Sequence, residues 1–319
     1  MISINIFIPI ALLVVGFALL WKGGELLVDS ASSLASRAKI PPMIIGLTLV
    51  SFGTSAPELF VNIIASVQKQ SDIILGNIIG SNIANTLLIL GLGGLFYPKM
   101  LQKVTVKKEI IINILVTLLL IGLMINPFWS PFKISHLDSI ILILALILFM
   151  FYLIKKNKTI QDSDSSPTLD TKKALLFFSF GCVCLPLGGY WVIESAIELA
   201  QLFKISEACI SLFAIAIGTS LPELATTIIA SLKKKNDLAL GNIIGSNIFN
   251  ILLILGISGL INPIIVNPQL VLDTQIACMA VVGFLIMSII KTNPDIKRFQ
   301  SLTLFVSYWA FIIYVFYRG

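Results

Sequence analysis

Residues 53–96 read GTSAPELFVNIIASVQKQSDIILGNIIGSNIANTLLILGLGGLF, and residues 218–261 read GTSLPELATTIIASLKKKNDLALGNIIGSNIFNILLILGISGLI. Aligned without a gap at an offset of 165, the two stretches agree at 29 of 44 positions. Each sets one glutamate, Glu58 or Glu223, inside an apolar run long enough to cross a bilayer. An ionisable side chain at that depth costs several kcal/mol, and such residues mark ion or proton pathways. The chain carries that cost twice, in the same surroundings of Gly, Thr, Ser and Pro.

The apolar runs continue outside the repeat. The 319 residues are 57% hydrophobic and 12% charged, where a soluble chain carries roughly 25% charged residues. Segments of about 20 apolar residues recur from end to end, the mark of transmembrane helices. The expected fold is an all-α polytopic membrane protein with ten transmembrane helices. They are read at roughly 6–34, 41–67, 72–96, 109–126, 137–155, 174–202, 206–232, 237–261, 270–290 and 300–317. The first, second, sixth and seventh exceed a perpendicular crossing, so they tilt, protrude or break. Breaks are expected in helices 2 and 7, at Gly53-Thr54-Ser55 before Pro57 and at Gly218-Thr219-Ser220 before Pro222. No signal peptide is expected, because the N-terminus lacks a basic region and a small-residue cleavage site.

Equivalent points of the repeat are five spans apart, an odd number, so the second copy crosses the membrane in the opposite sense. Residues 1–155 form a first five-helix repeat, 156–173 a cytoplasmic linker and 174–319 a second, inverted five-helix repeat. Inverted repeats with helices interrupted at matching places point to a transporter with its site at the repeat interface. Orientation follows from the connections. One side carries seventeen Lys and Arg residues and the other four, Lys69, Lys133, Lys204 and Arg318. The positive-inside rule puts the first side in the cytoplasm and both termini outside. The basic residues form no stripe, so the net charge of +6 does not suggest nucleic acid.

Proline lacks an N–H, and its ring clashes with the carbonyl four residues back. Pro57 and Pro222 therefore disturb the carbonyls of Gly53 and Gly218 at membrane depth. Thr54, Ser55, Thr219 and Ser220 add hydroxyls, and the two glutamates follow one turn later. This all-oxygen setting suits hard ions such as Na⁺ and Ca²⁺ and is poor for zinc or copper. The next helices offer polar stripes at i, i+4, i+8: Asn77, Ser81 and Asn85, and Asn242, Ser246 and Asn250. Gly76, Gly80, Gly241 and Gly245 let another backbone approach. Single asparagines in membrane helices are commonly interhelical glue, whereas the duplicated glutamates are functional. Together they bring two negative charges, which one Ca²⁺ or two Na⁺ neutralise.

Other features carry less. Glu25 with Asp29 and Glu194 with Glu198 form i, i+4 pairs near helix ends, read as solvated rather than as vestibule residues. Cys182, Cys184, Cys209 and Cys278 lie in apolar segments and are read as packing residues. His136, in an expected loop beside Asp138, has no second histidine for a metal. Asp162 and Asp164 lie in the linker KNKTIQDSDSSPTLDTKK, which lacks the glycine and distal glutamate of a calcium loop.

At GTSAPEL with GNIIGSNIAN, and GTSLPEL with GNIIGSNIFN, the sequence resembles the sodium/calcium exchanger family of the cation/calcium antiporter superfamily, in its prokaryotic form with two inverted alpha repeats. The resemblance implies alternating-access exchange of Ca²⁺ for Na⁺, some branches using K⁺ or H⁺, in the plasma (inner) membrane. Carried over by motif position, the ion-binding set is Thr54, Ser55, Glu58, Ser81 and Asn85 with Thr219, Ser220, Glu223 and Ser246, joined by backbone carbonyls near Ser51 and Ala216. Asn250 joins them in place of the aspartate of many family members, which leaves the counter-ion and stoichiometry open. No cofactor and no obligate protein partner are implied. Rival classes are a Ca²⁺/H⁺ or K⁺-dependent exchanger, a passive cation channel, and a membrane enzyme using the glutamates as acid and base.

Overall fold

The computed structural model describes residues 6–98, 107–126, 132–157, 169–203, 218–289 and 294–318. Their order is α1 (Phe7–Ala38), α2 (Pro42–Thr54), α3 (Ala56–Val67), α4 (Ser71–Phe96), α5 (Lys107–Ile125), β1 (Lys133–Ile134) and α6 (His136–Asn157). Then come α7 (Thr171–Leu202), α8 (Leu221–Leu232), α9 (Asn236–Ile261), β2 (Ile264–Ile265), α10 (Pro268–Ile289) and α11 (Pro294–Arg318). Eight of the described helices are long and apolar enough to span a membrane, and nine spans result if the bent pair α2–α3 counts as one. The seventh expected span, 206–232, is described only from residue 218 onward.

The expected break in the second span is present. α2 and α3 meet at Ser55 with a bend of 49°. The first and sixth spans are unbroken 32-residue helices. They pack on each other along small residues. A Cβ on Gly16 would lie 2.9 Å from the Gly188 carbonyl oxygen, and one on Gly181 2.9 Å from that of Gly23. As the number rises along α1 it falls along α7, so the pair is antiparallel.

α4 and α9 form the centre. Over an apolar 18-residue stretch they are 78% and 83% buried, against 28% and 22% for α1 and α11. Outer helices instead expose large apolar side chains such as Phe7, Leu148, Phe180 and Tyr317, the surface a lipid environment accepts. The glycine expectation holds at Gly241 and Gly245. A Cβ on Gly241 would meet the Met43 carbonyl oxygen at 2.6 Å, and one on Gly245 would meet Leu47 Cα at 2.8 Å. A Cβ on Gly76 or Gly80 would meet no described residue within 4 Å beyond its own stretch of helix backbone.

Connections expected on one side of the membrane touch one another. β1 pairs antiparallel with β2, Lys133 opposite Ile265 and Ile134 opposite Ile264, joining the segments that precede α6 and α10. At the opposite end Arg37 donates to the Leu169 carbonyl at 2.7 Å. There Asp29, expected to be a solvated helix end, is clamped by Lys233 at 2.6 Å and Lys235 at 3.1 Å. Its repeat equivalent Glu194 stays exposed, as expected. His136 opens α6 rather than lying in a loop. Ser135 and Asp138 form a capping box in front of it, Asp138 Oδ2 accepting from Ser135 N at 2.8 Å and Oγ at 2.6 Å. Cys184 and Cys278 are buried and Cys182 is half-buried, while Cys209 lies outside the described residues, as do Asp162 and Asp164.

Candidate cation site

Pro57 and Pro222 set the local geometry. Each sits in the first turn of its helix, where a missing N–H removes no intrahelical bond. The residues before those turns adopt matching conformations, Ser55 at φ −86°, ψ 10° and Ser220 at φ −87°, ψ 2°. Glu58 and Glu223 therefore take equivalent places in the first turns of α3 and α8, where the helix dipole favours negative charge. Each is only 1% exposed.

The polar residues around them bond across the two halves. Ser55 Oγ donates to Glu223 Oε1 at 2.8 Å, and Ser246 Oγ reaches the same oxygen at 3.4 Å. Thr54 donates to Asn242 Oδ1 at 3.1 Å, and Thr219 to Asn77 Oδ1 at 3.0 Å. Ser81 Oγ lies 3.4 Å from Thr219 Oγ1, and Thr219 stands beside Glu58. Thus Thr54, Ser55, Glu58, Ser81, Thr219, Glu223 and Ser246 come together through contacts between residues 23 to 188 positions apart. Ser220 is buried at the head of α8 but makes no bond to Glu58 matching that of Ser55 to Glu223 among the described residues.

Asn85 and Asn250 belong to an adjoining layer. π-helical turns at Ala84–Ile89 and Asn250–Leu255 interrupt the expected stripes. Asn85 Nδ2 donates to Asn247 Oδ1 at 3.1 Å, and Asn250 Nδ2 to Asn82 Oδ1 at 3.0 Å. Asn82, Asn247 and Thr86 were not anticipated, although SNIAN and SNIFN repeat two asparagines three residues apart. The Ser51 carbonyl accepts from Ser55 N at 2.9 Å and Thr54 Oγ1 at 3.3 Å. Ala216 lies outside the described residues.

Among the described residues, the buried oxygens here that accept no hydrogen bond include Glu58 Oε2, Glu223 Oε2, Asn85 Oδ1 and Asn250 Oδ1, with Asn62 Oδ1 one turn beyond Glu58. A buried acceptor left unsatisfied costs about 1–3 kcal/mol, and more when charged. A hard cation relieves that cost for carboxylate and amide oxygens alike. Among the described residues no group of three His, Cys, Asp or Glu side chains is placed to hold a metal. Hydroxyls, amides and two carboxylates are the available donors.

Apolar outer helices around a buried, acid-centred polar interior define an integral membrane protein built to handle a charged solute. The sodium/calcium exchanger protein family model matches residues 8–155 and 173–317. Inner membrane protein YrbG of Escherichia coli is 39% identical over 81% of this chain and 81% of its own. Sodium/calcium exchanger MaX1 of Methanosarcina acetivorans is 32% identical over 99% of this chain and 100% of its own. A solved structure of the sodium–calcium exchanger NCX_Mj, soaked with zero Na⁺ and Ca²⁺, superimposes with a TM-score of 0.81 at 25% identity, covering 97% of this chain and 99% of that one. The chain belongs to the sodium/calcium exchanger family and is a cation/calcium antiporter.

Proposed function

We propose that this protein is a secondary active antiporter that exports Ca²⁺ from the cytoplasm in exchange for Na⁺ by alternating access. The observation that carries the reading is the pair of buried glutamates from opposite halves, each with one oxygen unbonded, amid hydroxyl and amide oxygens. Glu58 and Glu223 bridge the ions. Thr54, Ser55, Ser81, Asn85, Thr219, Ser220, Ser246 and Asn250 complete their shells, with each half supplying part of the site. The architecture we propose is ten spans in two inverted five-helix repeats, with helices 2 and 7 broken. The antiparallel α1–α7 pair and the matching conformations at Ser55 and Ser220 support it. The lysine-rich side faces the cytoplasm, both termini face outward, and the residence is the plasma (inner) membrane.

Asn250 bears on stoichiometry. With two carboxylates as the whole charged set, one Ca²⁺ neutralises the site and so do two Na⁺. A third Na⁺ would leave an unscreened charge in a low-dielectric cavity, which is costly. Exchange is therefore nearer two Na⁺ per Ca²⁺ than three and moves little net charge. The same asparagine favours a second reading, in which K⁺ or H⁺ replaces Na⁺.

Proteoliposomes loaded with Ca²⁺ and given a Na⁺, K⁺ or pH gradient at clamped potentials decide between these. The Na⁺ gradient is expected to drive saturable Ca²⁺ movement that changes little with voltage. Drive by K⁺ or pH alone replaces the counter-ion, and non-saturable flux without any counter-ion makes the protein a channel. Steep voltage dependence with coupling near three removes the charge-count reading of Asn250.

A further inference from the structure

Where α4 crosses α9, the direction of each asparagine amide is set by two backbone carbonyls, which can only accept. Thr86 Oγ1 donates to the Asn82 carbonyl at 2.9 Å, so its oxygen is left to accept from Asn247 Nδ2 at 3.0 Å. Asn247 must then turn Oδ1 to Asn85, which answers with Nδ2 at 3.1 Å. In the other half, Asn82 Nδ2 donates to the Asn247 carbonyl at 3.2 Å. Asn82 therefore turns Oδ1 to Asn250, which answers with Nδ2 at 3.0 Å. Both chains of bonds end alike, with the Oδ1 of Asn85 and of Asn250 buried and unbonded. A reversed amide would instead present N–H groups, which repel a cation.

We propose that Asn82, Asn247 and Thr86 are positioning residues that lock the amides of Asn85 and Asn250 with oxygen, not nitrogen, toward the transported cations. They thereby set Ca²⁺ affinity without touching the ion. This rests on the reading of Asn85 and Asn250 as cation ligands. The two halves reach the result differently. The Asn250 half is anchored directly on a backbone carbonyl, whereas the Asn85 half depends on one side-chain hydroxyl. The position equivalent to Thr86 in the second half is Ile251, so the hydroxyl is not repeated.

That asymmetry makes Thr86 the place to test, in the full chain reconstituted in proteoliposomes. Self-exchange of labelled Ca²⁺ gives KM and kcat without reference to the counter-ion. Thr86→Val removes the hydroxyl and keeps the shape. It is expected to raise the KM for Ca²⁺ about tenfold, the loss typical of removing support from a metal ligand, with kcat little changed. Thr86→Ser is expected to restore the wild-type KM. In an Asn85→Asp background, where a carboxylate offers oxygen in either orientation, Thr86→Val is expected to have no further effect. Thr86→Ala gives the same reading should the valine variant not insert. An equal rise in both backgrounds overturns the proposal, because it would mark a merely structural role. So does a wild-type KM in Thr86→Val when Asn85→Ala raises it. If Asn85→Ala itself leaves KM unchanged, the ligand reading fails first.

Discussion

The two halves of the molecule carry the same motif in unequal company. Glu223 Oε1 receives the hydroxyl of Ser55 at 2.8 Å and faces Ser246 at 3.4 Å. Glu58 stands beside Thr219, without a matching bond from Ser220 among the described residues. Asp29 is held by Lys233 and Lys235, while its equivalent Glu194 is exposed, and the positions that match those lysines are Gln68 and Gln70. Thr86 bonds across the central crossing where the second half has Ile251. Duplication preserved the residues proposed to meet the ion, and the residues around them diverged. The site is thus symmetric in its charges and asymmetric in its supports.

The largest effect tests the symmetric part. Glu58→Gln and Glu223→Gln each keep a carbonyl oxygen but lose the charge that offsets Ca²⁺ dehydration. Breaking such buried charge compensation costs about 3–5 kcal/mol, so both variants should lose more than about 100-fold in Ca²⁺ transport while inserting normally. Tracer uptake in proteoliposomes checks this. Wild-type flux in either variant breaks the equivalence of the halves and removes that carboxylate from the mechanism.

A smaller effect separates the halves. A hydrogen bond to a charged group contributes about 1.5–3 kcal/mol, so Ser55→Ala should weaken Ca²⁺ affinity about tenfold or more. Ser220→Ala should cost clearly less. Isothermal titration of the purified variants with Ca²⁺ measures both, and equal losses would show that the two serines serve the site alike.

The smallest effect concerns the end of the molecule where α1 meets the α8–α9 connection. The Asp29 side chain is 42% exposed, and partly exposed ion pairs contribute about 0.2–1 kcal/mol. Asp29→Asn should therefore change the apparent Ca²⁺ affinity at that face by no more than about fivefold, and Glu194→Gln at the opposite face should change little. Sided membrane vesicles report each face separately. A larger response at Glu194 would reverse the assignment of the clamped end.

Much of this was legible in the chain. Apolar runs fixed the helical membrane class, because a backbone in lipid must bond internally. The duplicated Gly-Thr-Ser-x-Pro-Glu pattern located the break at Ser55 and the glutamates beyond it, since proline chemistry acts within a turn of its own position. The Ser135–Asp138 capping box that opens α6 is equally local, but the reading of His136 as loop made no use of it. What the sequence left open was decided by packing between distant segments. The antiparallel α1–α7 contact through Gly16, Gly23, Gly181 and Gly188, the clamp on Asp29, and the split of Asn85 and Asn250 from their stripes all depend on partners 158 to 206 residues away in the chain. A helical stripe says which side chains share a face. Which of them meets a carboxylate and which meets another amide follows only once α4 and α9 cross, because a hydrogen bond needs both partners in place within about 3 Å.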